Sequence, residues 1–114
     1  MDDDAACEID SIRRTYALLS LSRNDELAVS AAMLYEERPR IVHEAGAVVF
    51  CDGIFHRPAK IGLDVSSRHG IIDFDVEEHL GYGAWWFYAF SIKNTQYYPF
   101  PFFVRGDDML FGLM

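Results

Sequence analysis

Two clusters of aspartates are the residues of this sequence best suited to chemistry. Asp2, Asp3 and Asp4 lie at one end, and Asp107 and Asp108 follow an apolar run near the other end. In an extended segment, Asp2 and Asp4 would point to the same side, with Asp3 facing away, and would offer two hard oxygen ligands to a divalent metal ion. The acidic pair at the end of the apolar run is a second candidate site.

Each candidate also has an ordinary structural explanation. The aspartates at positions 2–4 are typical of a solvated acidic segment, because alternate aspartates alone are a weak metal signal. Asp107 or Asp108 could cap a helix that begins at the following methionine, which is a common role for aspartate.

His43 beside Glu44 could form an acid–base pair. Neighbouring strand residues face opposite ways, however, so unrelated polar side chains explain these two as well.

The densest aromatic stretch of the chain runs from position 82 to position 90. Apolar and aromatic residues occupy nearly every position from 84 to 92, which predicts a strand buried on both faces. Successive strand residues point to opposite faces, so Trp85 and Trp86 cannot both face the same layer. We therefore expect one tryptophan in the core and the other at the surface.

Periodicity predicts the elements that precede this stretch. Residues 8–23 carry apolar side chains at spacings of three and four, which is typical of an amphipathic helix. Residues 27–35 predict a buried strand, with a helix as the alternative because of their alanines. A charged turn at residues 36–40 separates this segment from the next one.

The middle of the chain predicts further strands and one long loop. Residues 41–50 predict a strand or a hairpin bent at Gly46. The glycines, prolines and serines of residues 51–70 predict mostly loop. Residues 71–76 alternate in their second half and predict a strand that leads into the aromatic stretch.

Composition limits the classes of function. The chain has 114 residues and a formal net charge of −8, which fits one domain and would repel a nucleic-acid backbone. No apolar run approaches the roughly 20 residues needed to cross a bilayer. Two cysteines without a CxxC motif, and an acidic start unlike a signal peptide, predict reduced thiols and a cytoplasmic protein. We expect at most a peripheral association with the inner face of the plasma membrane.

Three features occur in one order that their separate explanations do not account for. They are the aspartate triplet followed by an amphipathic helix, the Tyr-Gly-Ala-Trp-Trp run at 82–86, and the Phe-Val-Arg-Gly-Asp-Asp-Met-Leu-Phe-Gly-Leu run at 103–113. Together they resemble the family-two glycosyltransferases, most closely the galactofuranosyltransferase-like branch that extends cell-wall or surface galactans. The resemblance covers nearly the whole chain. It implies an α/β fold of the A-type glycosyltransferase (nucleotide-diphospho-sugar transferase) kind, with a mixed sheet and flanking helices.

The resemblance also implies roles for the two aspartate clusters. Asp2 and Asp4 match the aspartates that hold a divalent metal, Mn²⁺ or Mg²⁺, against the diphosphate of a UDP-sugar, and Asp3 sits between them on the cofactor side. Asp108 matches the general base, and Asp107 matches a neighbour that orients the acceptor sugar. Such a base takes the proton of the attacking acceptor hydroxyl, while the metal neutralises the departing diphosphate.

The aromatic run matches the acceptor cleft of the same branch. Tyr82, Trp85 and Trp86 match aromatic residues that line this cleft, where flat rings contact the C–H faces of a sugar. The branch often has an Asn-Gly pair before the tryptophans, and here Gly83-Ala84 stands there. This departure affects the finer acceptor contacts.

Two parts of the family pattern have no counterpart in this sequence. They are the nucleotide-binding half before the aspartate triplet and a metal-binding histidine after the aspartate pair. We therefore expect residues 1–114 to form a single partial glycosyltransferase domain that lacks activity alone, unless a partner chain or an oligomer restores the missing half. The intact enzyme would transfer a sugar, with inversion, from a UDP-sugar to a glycan acceptor. The branch implies galactofuranose, and rhamnose or another sugar fits the same residues.

Two other functions fit the same sequence. One is a carbohydrate-binding or interaction module that keeps the aromatic cleft without catalysis, and the other is an inactive gene fragment. Phosphatases of the haloacid-dehalogenase type also use alternate aspartates, but Ala5 and Ala6 stand here where Thr or Val is usual. Metal-dependent binding of UDP would distinguish a transferase from a binding module.

Overall fold

The structure, a computed structural model, describes residues 4–50, 55–95 and 108–109. In this part the chain is a small α/β domain with two helices and six short strands, so the α/β class is confirmed. The elements in chain order are α1 (Ile9–Leu21), β1 (Ala28–Ser30), β2 (Met33–Tyr35), β3 (Arg38–Glu44), β4 (Ala47–Phe50), β5 (Phe55–Pro58), α2 (Arg68–Asp75) and β6 (Tyr88–Phe90), with 3-10 turns at Trp85–Phe87 and Ile92–Asn94.

All strand pairings among the described residues are antiparallel. Strand β1 pairs with β6, β2 with β3 and β4 with β5. Two single bridges, Ile41–Asp64 and Ala47–Tyr82, join other segments to β3 and β4. The described residues therefore do not form the mixed sheet that we predicted. Short links such as the turn at Glu36 and Glu37 between β2 and β3 allow only antiparallel pairing, because a parallel pair needs a long crossover.

Helix α1 confirms the helix predicted over residues 8–23. In its first turn the Asp10 carboxylate accepts hydrogen bonds from the guanidinium groups of Arg13 and Arg14, at 2.9 and 2.7 Å. Exposed ion pairs of this kind each contribute little to stability. The predicted apolar stripe is present but open to solvent, since no residue of α1 is buried and Ile9 is 86% exposed.

The single strand predicted over residues 27–35 is wrong, because the chain divides there into β1 and β2. Ala31 lies at the division. Its N–H donates to the Phe87 carbonyl at 3.2 Å, and its carbonyl accepts from the indole N–H of Trp86 at 3.0 Å. Beyond this point the chain leaves β6 and pairs with β3 instead. Side-chain periodicity carries no information about such long-range hydrogen bonds.

The bend predicted at Gly46 is confirmed. Strand β3 ends two residues before it, β4 begins directly after it, and Gly46 itself has a φ of 81°. Glycine adopts this left-handed conformation at little cost. The two strands do not form a hairpin with each other, because β3 pairs with β2 and β4 pairs with β5.

The strand predicted over residues 71–76 is wrong, because nearly all of these residues belong to helix α2. Ser67 caps the helix, and its hydroxyl accepts a hydrogen bond from the Gly70 N–H at 3.0 Å. Ile71 and Ile72 are both exposed. A serine before an apolar run is a helix-start signal, and the short alternation that follows obscured it.

The loop predicted over residues 51–70 contains strand β5 as well as turns. Strand β5 pairs with β4 from Ala47↔Pro58 to Phe50↔Phe55, and helix α2 begins at Arg68. Residues 51–54, which include Cys51, lie outside the described part of the chain, whereas Cys7 is a free thiol.

The strand predicted over residues 84–92 is wrong in its first half. Residues 85–87 form a 3-10 turn, and only the three residues of β6 are extended. The three residues of β6 are half-buried rather than buried on both faces. Trp86 has a physical reason to leave the strand conformation: burying an indole N–H without an acceptor is costly, and the Ala31 carbonyl supplies one.

The core of the described residues is small and consists mainly of alanine. Val42, Ala47, Ala59 and Ala84 are its buried apolar members, and Glu44 is the buried charged residue beside them. Alanine allows backbones to approach closely, so this core is held together largely by backbone hydrogen bonds between neighbouring segments.

Lys60 connects the turn after β5 to the end of α2. Its ammonium group donates to the carbonyls of Asp73 and Val76, at 3.1 and 2.7 Å, and lies 2.9 Å from the carboxylate of Glu78. The side chain is 11% exposed. A lysine near the C-terminal carbonyls of a helix satisfies acceptors that have no partner within the helix.

Lys60→Met is expected to lower the free energy of unfolding by about 2 kcal/mol, because it leaves two carbonyls and a carboxylate without their donor. Urea denaturation followed by tryptophan fluorescence would measure this loss. Lys93→Met is the matched control, since Lys93 forms one exposed ion pair with Asp25 and its loss should cost about 0.5 kcal/mol. Equal effects of the two substitutions would contradict the role given to Lys60.

Candidate functional site

A hydrogen bond joins two residues that the sequence predicted for the acceptor site. The Tyr82 hydroxyl donates to the Asp108 carboxylate at 2.8 Å, across 26 residues of chain. The same carboxylate accepts a hydrogen bond from the N–H of Met109 at 2.8 Å. Both Tyr82 and Asp108 are half-buried. The structure therefore brings together the proposed base and one of the proposed acceptor-binding aromatics.

Backbone contacts with β4 hold Tyr82 in place. Its carbonyl accepts a hydrogen bond from the Ala47 N–H at 3.0 Å, and the Gly81 N–H donates to the Ala47 carbonyl at 3.0 Å. Gly46 allows this approach. A Cβ at that position would lie 2.8 Å from a methyl carbon of Leu80 and 3.1 Å from the Tyr82 carbonyl. The bend at Gly46 thus helps to position the hydroxyl that contacts Asp108.

Tyr82 also lines an open groove of about 380 Å³. Small residues such as Ser30, Ala45 and Gly83 form much of its lining, and Tyr88 adds a second aromatic ring beside Tyr82. The volume lies at the lower end of the range of small-molecule sites. A groove with small residues and two phenol rings is suited to a flat, hydroxyl-rich ligand such as a sugar.

Trp86, in the 3-10 turn, belongs to a row of rings with His43 of β3 and Tyr35 of β2. The His43 ring lies 6.0 Å from the Trp86 ring and 5.0 Å from the Tyr35 ring. The guanidinium of Arg38 lies 4.7 Å from the Tyr35 ring centre, as in a cation–π contact. Sequence reasoning missed this row. The signal available was the charged turn, in which two residues separate Tyr35 from Arg38. Such an arrangement is typical of a hairpin.

Trp85 precedes Trp86 in the same 3-10 turn and is half-buried. Successive residues of such a turn are rotated by about 120° rather than by the 180° of a strand. The prediction of one core and one surface tryptophan is therefore wrong, because both Trp85 and Trp86 are half-buried. Both residues stay predicted acceptor contacts.

Glu44 is a residue of this region that the sequence indicated only as the neighbour of His43. It is 6% exposed, and its Oε1 atom has no hydrogen-bond partner among the described residues. Burial raises the pKa of Glu44, the positive charges of His56 and His43 lower it, and the negative charge of Asp108 raises it further. The net direction of the pKa shift is upward, because burial disfavours the charged form of the carboxyl group.

The predicted metal site lies mostly outside the described part of the chain. The structure does not describe Asp2 and Asp3 of this site, and Asp4 is exposed. Asp107, which was predicted to orient the acceptor sugar, also lies outside the described residues. No group of three or more His, Cys, Asp or Glu side chains within residues 4–50, 55–95 and 108–109 is arranged to hold a metal ion. The described residues thus give no test of fit for a metal, and its prediction rests on the sequence.

Three of the four histidines are exposed. His56 and His79 lie at the surface, and His69 is an exposed partner of Asp73 at 3.5 Å. In the described part of the chain, no helix combines the length and the apolar character that spanning a membrane requires.

Comparisons with known proteins found no relative. No protein-family description, no curated protein and no solved structure matches this chain. The resemblance to glycosyltransferases therefore stays a prediction.

Proposed function

We propose that this chain is the acceptor side of a family-two-like glycosyltransferase, in which Asp108 is the general base. The observation that supports it best is the hydrogen bond between Tyr82 and Asp108. It joins two sequence motifs, far apart in the chain, that the resemblance assigns to one site. A half-buried tyrosine hydroxyl needs a hydrogen-bond partner, and here that partner is the carboxylate that an acceptor site would use as its base.

The contacts of Asp108 suit the role of a base. Its carboxylate accepts from the Tyr82 hydroxyl and from the Met109 N–H, one donor on each oxygen. Each oxygen has a second lone pair for an acceptor hydroxyl. In an inverting transfer, that hydroxyl gives its proton to Asp108 as its oxygen bonds to the anomeric carbon. The bond from that carbon to UDP breaks, and UDP leaves with the electron pair.

The groove and the row of rings support a sugar as the acceptor. Tyr82 belongs to the groove, and Trp86 lies in the row that continues to His43 and Tyr35. Rings provide apolar area for the C–H faces of a sugar, and phenol and imidazole groups provide polar contacts to its hydroxyls. Galactofuranose is the sugar that the resemblance implies.

The donor side of the proposal rests on the sequence. A divalent metal at Asp2 and Asp4, with Asp3 beside it, would neutralise the diphosphate of a UDP-sugar donor. The glycan acceptor would bind at Tyr82, Trp85, Trp86 and Asp107. A cytoplasmic protein at the inner face of a membrane, alone or as an oligomer, fits such a donor and acceptor.

A carbohydrate-binding module without catalysis is the second candidate. The groove and the row of rings lie within the described residues and do not depend on the aspartates at positions 2–4. Such a module would bind an oligosaccharide without UDP or metal, whereas a transferase must bind UDP as well.

Calorimetric titration of the 114-residue chain would test the proposal. We expect a galactofuranosyl tetrasaccharide to bind, and UDP to bind only with Mn²⁺ and only where an oligomer restores the nucleotide-binding half. Tyr82→Phe removes the hydroxyl that contacts Asp108 and should weaken tetrasaccharide binding about tenfold, the equivalent of one hydrogen bond of about 1.4 kcal/mol.

Tyr16→Phe is the matched control, because Tyr16 is an exposed tyrosine of α1 and its hydroxyl should not affect binding. Binding of the tetrasaccharide without UDP would support the non-catalytic module. A folded protein that binds neither ligand would contradict both candidates.

A further inference from the structure

Helix α1 carries an apolar stripe on a side that faces solvent. Ile9, Ile12 and Tyr16 form this α1 stripe, and they are 86%, 55% and 75% exposed. Their spacing of three and four residues places them on one side of the helix. Several large apolar side chains next to one another at a surface commonly mark an interaction site.

The partly buried side of the same helix is mostly polar. Ser11 and Thr15 are half-buried and lie one turn apart, and Leu19 follows one turn later. Strand β1 is a neighbour of the helix in the domain. An amphipathic helix ordinarily turns its apolar face to the core, whereas hydroxyl side chains take much of that place here. The described residues therefore leave the α1 stripe uncovered.

The stripe has the spacing of a coiled-coil seam. Ile9 and Tyr16 are seven residues apart with Ile12 between them, which matches the a and d positions of a heptad. In this register Glu8 takes a g position and Arg13 takes an e position, and both are exposed. Side chains at e and g positions form the salt bridges between two helices that lie parallel. Glu8 of one copy and Arg13 of a second copy have the opposite charges that this contact needs.

We propose that α1 pairs in parallel with α1 of a second copy of this chain, along the α1 stripe. The pair buries both stripes and makes two symmetry-related contacts between Glu8 and Arg13. An antiparallel pair along the same stripe would put these two residues on opposite sides of it. The guanidinium of Arg13 has five donors, so it can reach Glu8 and keep its contact with Asp10. The stripe shares no residue with the groove at Tyr82, so this inference is independent of the proposed function.

A lipid surface fits the stripe less well than a second copy does. Helices that lie on a membrane carry many basic residues on their polar face, but both arginines of α1 are paired with Asp10. The chain has a formal net charge of −8, which opposes binding to anionic lipids.

Sedimentation equilibrium of the 114-residue chain tests the pairing. Because dimerisation follows mass action, we expect the average mass to rise from that of a monomer to that of a dimer as the protein concentration increases. Ile12→Asp should raise the dissociation constant at least about a hundredfold, since it places a charge in the contact from each copy. Leu18→Asp is the matched control. Leu18 is 51% exposed, close to the 55% of Ile12, but lies on another side of α1, so dimerisation should be unchanged.

Charge reversal tests the direction of the pair. Arg13→Glu and Glu8→Arg should each weaken the homodimer about tenfold, because two attractive contacts become repulsive. An equal mixture of these two variants should form a heterodimer as tight as the wild-type dimer, since each glutamate then meets an arginine again. Arg14→Glu is the control, because Arg14 also contacts Asp10 but lies on the side of α1 opposite the stripe.

Several results would overturn the proposal. One is a monomer at every concentration, whether it binds vesicles of anionic phospholipid or not. Another is a dimer that Ile12→Asp leaves intact. A monomer whose unfolding free energy falls in Ile12→Asp would assign the stripe to a contact within one chain. A mixture of the charge variants no tighter than either variant alone would overturn the parallel direction.

Discussion

Gly70→Ala is expected to cause the largest loss of stability of any single methyl addition at the described glycines. A Cβ on Gly70 would lie 1.8 Å from the backbone carbonyl oxygen of Asp64 and 2.8 Å from its carbon. These are backbone atoms, so helix α2 or the segment at Asp64 must move. Overpacking of this kind costs about 3 kcal/mol, a large part of the stability of a small domain.

The sign of this effect is what makes the experiment decisive. In an open helix, Gly→Ala would stabilise the protein by up to about 1 kcal/mol, because alanine is the better helix former. Urea denaturation of the variant would show a large decrease in the free energy of unfolding if α2 packs against Asp64 as the structure has it. A variant as stable as the wild type would contradict that packing.

Two other glycines serve as controls for Gly70→Ala. A Cβ on Gly81 would meet Val49 only at 3.5 Å and beyond, which is ordinary contact, so Gly81→Ala should change stability by less than about 0.5 kcal/mol. Gly62 has a φ of 79° and open space around it. Gly62→Ala should therefore cost about 1 kcal/mol, from backbone strain alone.

Local signals in the sequence predicted those elements that depend on local interactions. Helix α1 follows from the spacing of its apolar residues, and the bend at Gly46 follows from the special backbone freedom of glycine. The charged turn predicted over residues 36–40 is likewise local, but it is confined to Glu36 and Glu37 because β3 begins at Arg38. The helix and the bend form as predicted because neighbouring residues determine them.

Long-range hydrogen bonds determine the elements that were predicted wrongly. The carbonyl of Ala31 accepts the indole N–H of Trp86 across 55 residues, and this contact lies where the strand at 27–35 divides and the strand at 84–92 is replaced by a turn. Helix α2 was missed for a different reason. Its cap at Ser67 is local, but a short alternation of apolar and acidic residues indicated a strand.

The residues of the candidate site also include some that the sequence could predict and some that it could not. Tyr82 and Asp108 could be assigned to one site from the order of their motifs, and their hydroxyl and carboxylate lie in contact. The burial of Glu44 could not be predicted from the sequence, because a glutamate on a strand next to a polar residue is ordinarily exposed. Its burial depends on the pairing of β3 with β2 and with the segment near Asp64, which no pattern along the chain reveals.

In a full-length version that includes the nucleotide-binding half, Asp108→Asn is expected to reduce sugar transfer from a UDP-sugar by about 10²- to 10⁴-fold, the usual contribution of a general base. Asparagine keeps an oxygen that can accept the Tyr82 hydroxyl, so the contact that positions the site should persist. What is lost is the ability to take a proton from the acceptor. UDP affinity should be unchanged, because the proposal places the base on the acceptor side.

Three measurements on the same variant separate a base from a structural carboxylate. Turnover should fall, while the affinity for UDP and the unfolding free energy stay at wild-type values. Asp25→Asn is the control, because Asp25 is an exposed aspartate that also accepts a hydrogen bond, from Lys93, and its loss should leave turnover unchanged. Unchanged turnover in Asp108→Asn would remove the base assignment. Lost UDP binding with intact stability would instead move Asp108 to the donor side of the site.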